Sequence, residues 1–126
     1  MAQAIKSVGV IGLGQMGGPI ARHLARGGFR TFGYDVSAVA NDKAKAHGVT
    51  IAASPAALAK ECDFVIVLTA FEEQVEEAIF GANGAASGAR PGTIIGVAAT
   101  ISPSGMKEIA KRLDANGLVP LDIPLC

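Results

Sequence analysis

The stretch VGVIGLGQMGGPIARHLARGG (residues 8–28) sets glycines directly between an apolar run and a segment of helical period. Residues 6–13 are an apolar run bounded by glycine, which is typical of a strand buried on both faces. From Met16 to Arg26 the apolar residues recur with a helical period, and Gly27-Gly28 is suited to end that helix. A glycine inside an element weakens it by roughly 0.5–1 kcal/mol. The glycines at this junction therefore need a reason other than stability.

The rest of the chain continues this alternation of strand and helix patterns. Strands are predicted at 31–35, 49–53, 63–70, 93–99 and 118–124, and helices at 38–46, 55–62, 72–80 and 104–116. Ser37 and Ser54 are predicted N-caps, and residues 81–92 are predicted to be a loop because they show no periodicity. Such alternation builds βαβ units with a parallel sheet. We therefore predict an α/β fold, a doubly wound parallel sheet in three αβα layers, as a single domain over residues 1–126.

The composition excludes several classes of protein. Half of the 126 residues are apolar, 17% are charged, and eleven basic residues balance eleven acidic ones. Without a basic field, the chain is not expected to bind nucleic acid. Cys62 and Cys126 form no Cys-x-x-Cys pair, so neither a zinc site nor a disulfide framework is indicated. No signal peptide is recognised, and no apolar run approaches the roughly 18 residues of a membrane span. We expect a soluble, cytoplasmic protein without a metal.

Three of the glycines have the spacing of a dinucleotide-binding turn. Gly12, Gly14 and Gly17 form a G-x-G-x-x-G between the first predicted strand and the first predicted helix. In this motif the first glycine permits the tight turn, the second admits a pyrophosphate, and the third lets the helix lie close to the strand. Free N–H groups and the helix dipole then favour the phosphate charge. A tight turn without a ligand is the alternative interpretation.

Asp35 favours the interpretation with a ligand. It ends the second predicted strand, 23 residues after Gly12, where an acidic residue accepts hydrogen bonds from the adenosine ribose. Its carboxylate would repel the 2′-phosphate of NADP, and the following residues VSAVA supply no arginine to neutralise that phosphate. We therefore predict a Rossmann-type domain that binds NAD, with NADP the weaker ligand. Asp35 could also cap the helix after Ser37, a role that is compatible with binding the ribose.

The glycine-rich stretch and several later segments together resemble a known protein family. The glycine-rich stretch, with Met16 inside the motif and Pro19 after it, resembles the NAD(P)-binding domain of the β-hydroxyacid dehydrogenases. This family includes 3-hydroxyisobutyrate dehydrogenase, tartronate semialdehyde reductase and 6-phosphogluconate dehydrogenase. The segments SPAALAKECDFVIVLTAFEEQVEEAIFG (54–81), ATISP (99–103) and LDIPLC (121–126) resemble further family motifs in the same order. The resemblance covers the whole chain and implies hydride transfer between a nicotinamide and a small, 3-hydroxyisobutyrate-like hydroxy acid.

The resemblance also implies roles for particular residues. Backbone groups at residues 13–16 would hold the pyrophosphate, and Asp35 the adenosine ribose. Thr100 would approach the nicotinamide ribose, while Cys126 would help to hold the carboxylate of the substrate. The implied cofactor-binding set is Gly12, Leu13, Gly14, Gln15, Met16, Gly17, Asp35, Leu68, Thr69 and Thr100. Thr69 and Cys126 stand where the family usually has proline and serine, so the identity of the substrate stays open.

The family's catalytic machinery is expected outside this chain. Its general acid/base is a lysine on a later helix, and an all-helical second domain closes the cleft and mediates dimerisation. Neither occurs before Cys126, so we expect a fragment that holds no catalytic residue, binds NAD and turns over little substrate. Two alternatives remain open, a stand-alone nucleotide-sensing regulatory domain and the cofactor domain of an imine or pyrroline reductase.

The remaining polar residues are predicted to be structural. His23, His47 and Cys62 lack the companions of a catalytic group. The glutamates at 72, 73, 76 and 77 have helical spacing and no His or Cys beside them, so they are predicted to form a solvated helix face rather than a metal site. Nothing near Cys126 in sequence would lower the pKa of its thiol.

Overall fold

The computed structural model describes residues 4–124 and contains a six-stranded sheet in which neighbouring strands are parallel. The strands are β1 (Ser7–Ile11), β2 (Arg30–Tyr34), β3 (Thr50–Ile51), β4 (Phe64–Val67), β5 (Ile94–Val97) and β6 (Val119–Asp122). Their order across the sheet is β3-β2-β1-β4-β5-β6. This is the order of two βαβαβ halves that meet at β1 and β4. The predicted doubly wound α/β fold is confirmed.

Helices lie on both faces of this sheet. They are α1 (Gly17–Arg26), α2 (Ala38–Lys45), α3 (Pro55–Lys60), α4 (Glu72–Phe80), α5 (Ala85–Gly88) and α6 (Pro103–Ala115). The buried apolar side chains form two clusters, one that α1 and α2 share with β1, and one that the other four helices share with β1, β4 and β5. The sheet is therefore the middle of three layers. None of the helices within residues 4–124 is long and apolar enough to cross a membrane.

The local sequence explains where the helices begin. All five residues of β1 are buried, as expected for a central parallel strand. The small residues Gly17 and Ala21 form the buried side of α1. The predicted N-caps are confirmed, because the hydroxyl of Ser37 accepts from the N–H of Ala40 and that of Ser54 from Ala57, at 3.3 and 3.0 Å.

The prediction that residues 81–92 form a loop is wrong in part. Residues 85–88 are a single helical turn, α5, which lies against α3 so closely that a Cβ on Gly88 would meet the carbonyl group of Ala56. Four residues are too few to show a period, which is why the pattern could not reveal this turn. The strands are also shorter than predicted, since β4 covers 64–67 rather than 63–70 and β3 only 50–51.

An ion pair and two backbone hydrogen bonds hold the amino end of the sheet, away from the glycine turn. The carboxylate of Asp63 accepts from the N–H groups of Lys6 and Ser7, at 2.9 and 3.2 Å, and from Arg90 at 3.2 Å. These donors hold the pKa of Asp63 below its usual range, the two backbone N–H groups contributing most. The role of Asp63 is therefore structural.

One part of the sheet surface carries exposed apolar side chains. Successive strand residues point to opposite faces, so one face of β4, β5 and β6 can be followed through the register. On the face that carries α1 and α2, Val119 and Leu121 of the edge strand are 46% and 42% exposed. Half-buried side chains extend this apolar face, namely Phe64, Ile66, Ile94 and Ile123.

Candidate functional site

The predicted site residues meet at the carboxyl edge of the sheet. The glycine turn leaves β1 there, Asp35 follows β2, and residues 68–69 follow β4. Hydrogen bonds connect the three segments: the N–H of Gly12 donates to the carbonyl of Tyr34 at 2.9 Å, and that of Leu68 to the carbonyl of Ile11 at 2.8 Å. The order of the strands reverses between β1 and β4, and parallel sheets bind ligands in the crevice at such a switch point.

Two of the three motif glycines are required by the fold itself. Gly12 has φ +101°, in the left-handed region that favours glycine. A Cβ on Gly12 would also meet the carbonyl oxygen of Leu68. A Cβ on Gly17, at the start of α1, would meet the carbonyl oxygen of Gly12. Both glycines would therefore be needed for a tight turn with or without a ligand.

Gly14 has no such structural reason to be glycine. Its φ is not positive, and a Cβ there would meet nothing within 4 Å. The N–H groups of Gly14, Gln15 and Met16 donate to no acceptor among residues 4–124. The N-cap Met16 provides no side-chain oxygen, and the first turn of α1 has no acidic residue. Open space above a glycine and unpaired donors at a helix N-terminus form a site suited to a phosphate group.

Asp35 joins the glycine turn to the segment after β2. Its carboxylate accepts from the N–H of Leu13 at 2.7 Å and from the N–H of Ser37 at 2.8 Å. The side chain of Asn41 holds the backbone of Asp35 on both sides, accepting from its N–H and donating to its carbonyl, each at 2.9 Å. The N–H of Leu13 is thus already bonded within the chain, which leaves residues 14–16 as the free donors of the turn.

A groove of about 490 Å³ runs between α1 and α2 beside the glycine turn. This volume lies in the range of small-molecule sites. Its wall includes Gly14, Gln15 and Ser37, and it also carries the cationic side chains of Arg22 and Lys43. Neither cation forms an ion pair with a carboxylate within residues 4–124. The sequence had singled out neither residue, because their convergence depends on how α1 and α2 lie together.

The loops after β4 and β5 are fixed by side chains that the sequence interpretation missed. The side chain of Gln74 accepts from the N–H groups of Ala70 and Phe71, at 3.0 and 3.1 Å. A Gln at the third helical position is the signal that could have identified it. Glu72 accepts from the N–H of Ser102 at 3.3 Å and so links the start of α4 to the start of α6. The exposed Thr100 lies in the loop between β5 and α6.

The residues that were predicted to be structural are not arranged for catalysis. His23 and His47 are exposed, and Cys62 is fully buried. Burial raises the pKa of the Cys62 thiol to about 12, with the charge of Asp63 adding to the shift. Within residues 4–124, no three His, Cys, Asp or Glu side chains are grouped to hold a metal. Cys126, the predicted substrate contact, lies outside the described residues.

The predicted glutamate face is largely exposed, and two of its members also bond to other elements. Glu72 is bonded to Ser102, and Glu76 accepts from Arg112 of α6 through both carboxylate oxygens at 2.8 Å. The guanidinium of Arg112 also lies over the ring of Phe80, 3.7 Å from its centroid. Half of the cluster therefore connects α4 to α6 and its preceding loop.

Named dehydrogenases and solved structures are similar to the chain, among them the following three. It is 38% identical over 120 residues to the L-threonate dehydrogenase of Cupriavidus necator, covering 95% of this chain and 40% of that protein. It is 36% identical over 118 residues to the mitochondrial 3-hydroxyisobutyrate dehydrogenase of Mus musculus, covering 94% of this chain and 35% of that protein. The Mycobacterium tuberculosis 3-hydroxyisobutyrate dehydrogenase with L-serine superposes with a TM-score of 0.90 at 28% identity, over 98% of this chain and 41% of that one.

These alignments cover nearly all of this chain but less than half of each relative. The chain spans about 40% of the length of the dehydrogenases it matches. Residues 7–126 match the family described as the NAD binding domain of 6-phosphogluconate dehydrogenase. With this match over nearly its whole length, the chain belongs to that family of NAD-binding domains.

Proposed function

We propose that this chain is the cofactor domain of a dehydrogenase that moves a hydride between NAD and a small hydroxy acid. The observation that carries the proposal is Gly14, a glycine that the fold does not need, beside three unpaired N–H groups. The relatives named for L-threonate and 3-hydroxyisobutyrate both act on hydroxy acids, which supports the same class of substrate.

Each part of the site has a distinct task in this proposal. The N–H groups of residues 14–16 receive the pyrophosphate, and the dipole of α1 favours its charge. The carboxylate of Asp35 keeps unused lone pairs besides those that accept from Leu13 and Ser37, and these accept from the adenosine ribose hydroxyls. When bound, the nicotinamide supplies the hydride acceptor. Thr100 and residues 68–69 line the path of the cofactor, and Cys126 would contact the substrate.

Asp35 favours NAD over NADP, because its charge would repel a 2′-phosphate. A specific observation favours a second possibility, that NADP is also accepted. Arg22 and Lys43 line the groove beside the glycine turn, and neither forms an ion pair within residues 4–124. Two unpaired cations there could offset the carboxylate if a 2′-phosphate enters the groove. We favour NAD, since Asp35 is the residue that we assign to the adenosine ribose.

The variant Asp35→Asn tests which of these charges dominates. The amide keeps one of the two oxygens, which accept from Leu13 and Ser37, so it retains one of these hydrogen bonds and removes the negative charge. We expect the ratio of NADP affinity to NAD affinity to rise about tenfold, which corresponds to about 1.4 kcal/mol. Calorimetric titrations with both nucleotides give the ratio. Asp42→Asn, on the exposed side of α2, is the matched control. An unchanged ratio in Asp35→Asn would show that Asp35 does not set the preference.

The whole protein is proposed to carry its proton-transfer lysine and a second, helical domain beyond this chain. Relatives more than twice as long support this, and the exposed apolar face around Val119 and Leu121 is suited to contact with such a domain. A cytoplasmic, oligomeric hydroxy-acid dehydrogenase is the proposed native form. A nucleotide-sensing module and an imine reductase remain the alternatives, and the residues that follow position 126 in the gene would distinguish them.

The chain alone is expected to bind NAD and to catalyse little or no oxidation of hydroxy acids. General acid–base catalysis contributes about 10²- to 10⁴-fold, and the chain lacks the group proposed for it. NADH formation is measured by absorbance with L-threonate and 3-hydroxyisobutyrate, for this chain and for the full-length protein. Turnover by the 126-residue chain at the rate of the full-length protein would contradict the proposal that the proton-transfer group lies beyond this chain.

A further inference from the structure

Thr69 has a hydroxyl group without a hydrogen-bond partner. Its Oγ1 is buried, and among the side chains of residues 4–124 it is the one buried nitrogen or oxygen atom that lacks a partner. The residue as a whole is partly exposed. Buried polar groups are almost always hydrogen-bonded, so an unpaired one calls for an explanation. No contact within the described residues explains the unpaired hydroxyl of Thr69, so a ligand is the candidate partner.

The position of Thr69 indicates which ligand atoms would lie near it. Its backbone nitrogen is 3.5 Å from where a Cβ on Gly12 would lie, so Thr69 adjoins the first residue of the glycine turn. The neighbouring Leu68 is bonded to the end of β1. Thr69 therefore lies just beyond the carboxyl ends of β1 and β4, where the order of the strands reverses. A dinucleotide crosses the sheet at this point, with its pyrophosphate at the N-terminus of the first helix.

We propose that the hydroxyl of Thr69 donates a hydrogen bond to a pyrophosphate oxygen of the bound dinucleotide. This inference rests on the proposed function. The proposal requires the hydroxyl to turn about the Cα–Cβ bond, between staggered positions, from its buried position toward the exposed side of this half-buried residue. There it meets a charged oxygen, an acceptor that forms stronger hydrogen bonds than a neutral one. Binding thereby satisfies a group that is unpaired in the free chain.

The variant Thr69→Val removes the hydroxyl and keeps the shape of the side chain. We expect Kd for NAD to rise about tenfold or more, because a hydrogen bond to a charged group is lost. The free variant should unfold at the same urea concentration or a higher one, since an unpaired polar atom has been removed. Thr69→Ser keeps the hydroxyl and should bind NAD within about twofold of the unaltered chain. Calorimetry and urea unfolding give both quantities for all three proteins.

Titrations with ADP-ribose and with adenosine place the contact on the molecule. Adenosine lacks the pyrophosphate, so Thr69→Val should leave its affinity unchanged. ADP-ribose has the pyrophosphate and lacks the nicotinamide, so Thr69→Val should weaken it by the same factor as NAD. Equal NAD affinity of Thr69→Val and the unaltered chain would overturn this inference and leave the proposed function intact. A loss for NAD without a loss for ADP-ribose would overturn the assignment to the pyrophosphate. Failure of both the unaltered chain and the full-length protein to bind either nucleotide would overturn both proposals.

Discussion

A Gly14→Ala variant is expected to fold as stably as the unaltered chain and to bind NAD about 30-fold more weakly. The added Cβ meets nothing within 4 Å, and φ at this position is not positive, so the folded chain accepts it. The free energy of unfolding should be unchanged or up to about 1 kcal/mol higher, because alanine restricts the unfolded chain more than glycine does. The same Cβ occupies the space through which a pyrophosphate approaches the backbone. The loss in affinity corresponds to about 2 kcal/mol of binding free energy, which we attribute to steric crowding of the pyrophosphate by the Cβ.

Urea unfolding and calorimetric titration of one preparation separate the two effects. Reduced affinity together with unchanged stability would assign Gly14 to the ligand. Unchanged affinity for NAD would mean that the second glycine of the motif is only part of a turn. A marked loss of stability would show that the turn depends on glycine at position 14.

Gly12→Ala is expected to have the opposite profile, with a free energy of unfolding lowered by about 3 kcal/mol or more. A left-handed φ costs a non-glycine residue about 1–3 kcal/mol, and here the Cβ would also meet the carbonyl oxygen of Leu68. Gly92→Ala is the matched control, because Gly92 has φ +88° and open space around it. The control carries the backbone strain without the contact.

Urea unfolding of both variants isolates the contact between Gly12 and the segment after β4. We expect Gly12→Ala to be less stable than Gly92→Ala by at least about 1 kcal/mol. Equal losses in the two variants would mean that the approach of Gly12 to Leu68 is not limiting. In that case glycine would be needed at position 12 only because of its left-handed backbone conformation.

The sequence predicted the order of the elements because each one leaves a local signal. The buried run of β1, the N-caps Ser37 and Ser54 and the change from strand to helical period all depend on residues close together in the chain. The turn α5 left no signal, because four small residues have no period. The link between Glu72 and Ser102 spans 30 residues, and only the tertiary arrangement brings its partners together.

The sequence predicted the main residues of the candidate site, but not the contacts that depend on how the helices pack. The spacing of Gly12, Gly14, Gly17 and Asp35 places all four at one edge of the sheet, and the structure has them there. The motif predicts a separate task for each of the three glycines. The structure adds the contacts behind those tasks, because Gly12 and Gly17 approach neighbouring carbonyl oxygens whereas Gly14 faces open space. The groove cations and the Asn41 support of Asp35 depend on helix packing, so they too required the structure.

A calorimetric titration of the unaltered chain with NAD, and separately with NADP, tests the central claim most directly. We predict saturable binding of NAD with one site per chain, and NADP binding weaker by about tenfold or more. This outcome would assign the open glycine turn to a pyrophosphate and Asp35 to the adenosine ribose. Binding of neither nucleotide, by this chain or by the full-length protein, would contradict the claim and leave the glycines with a role in the turn alone.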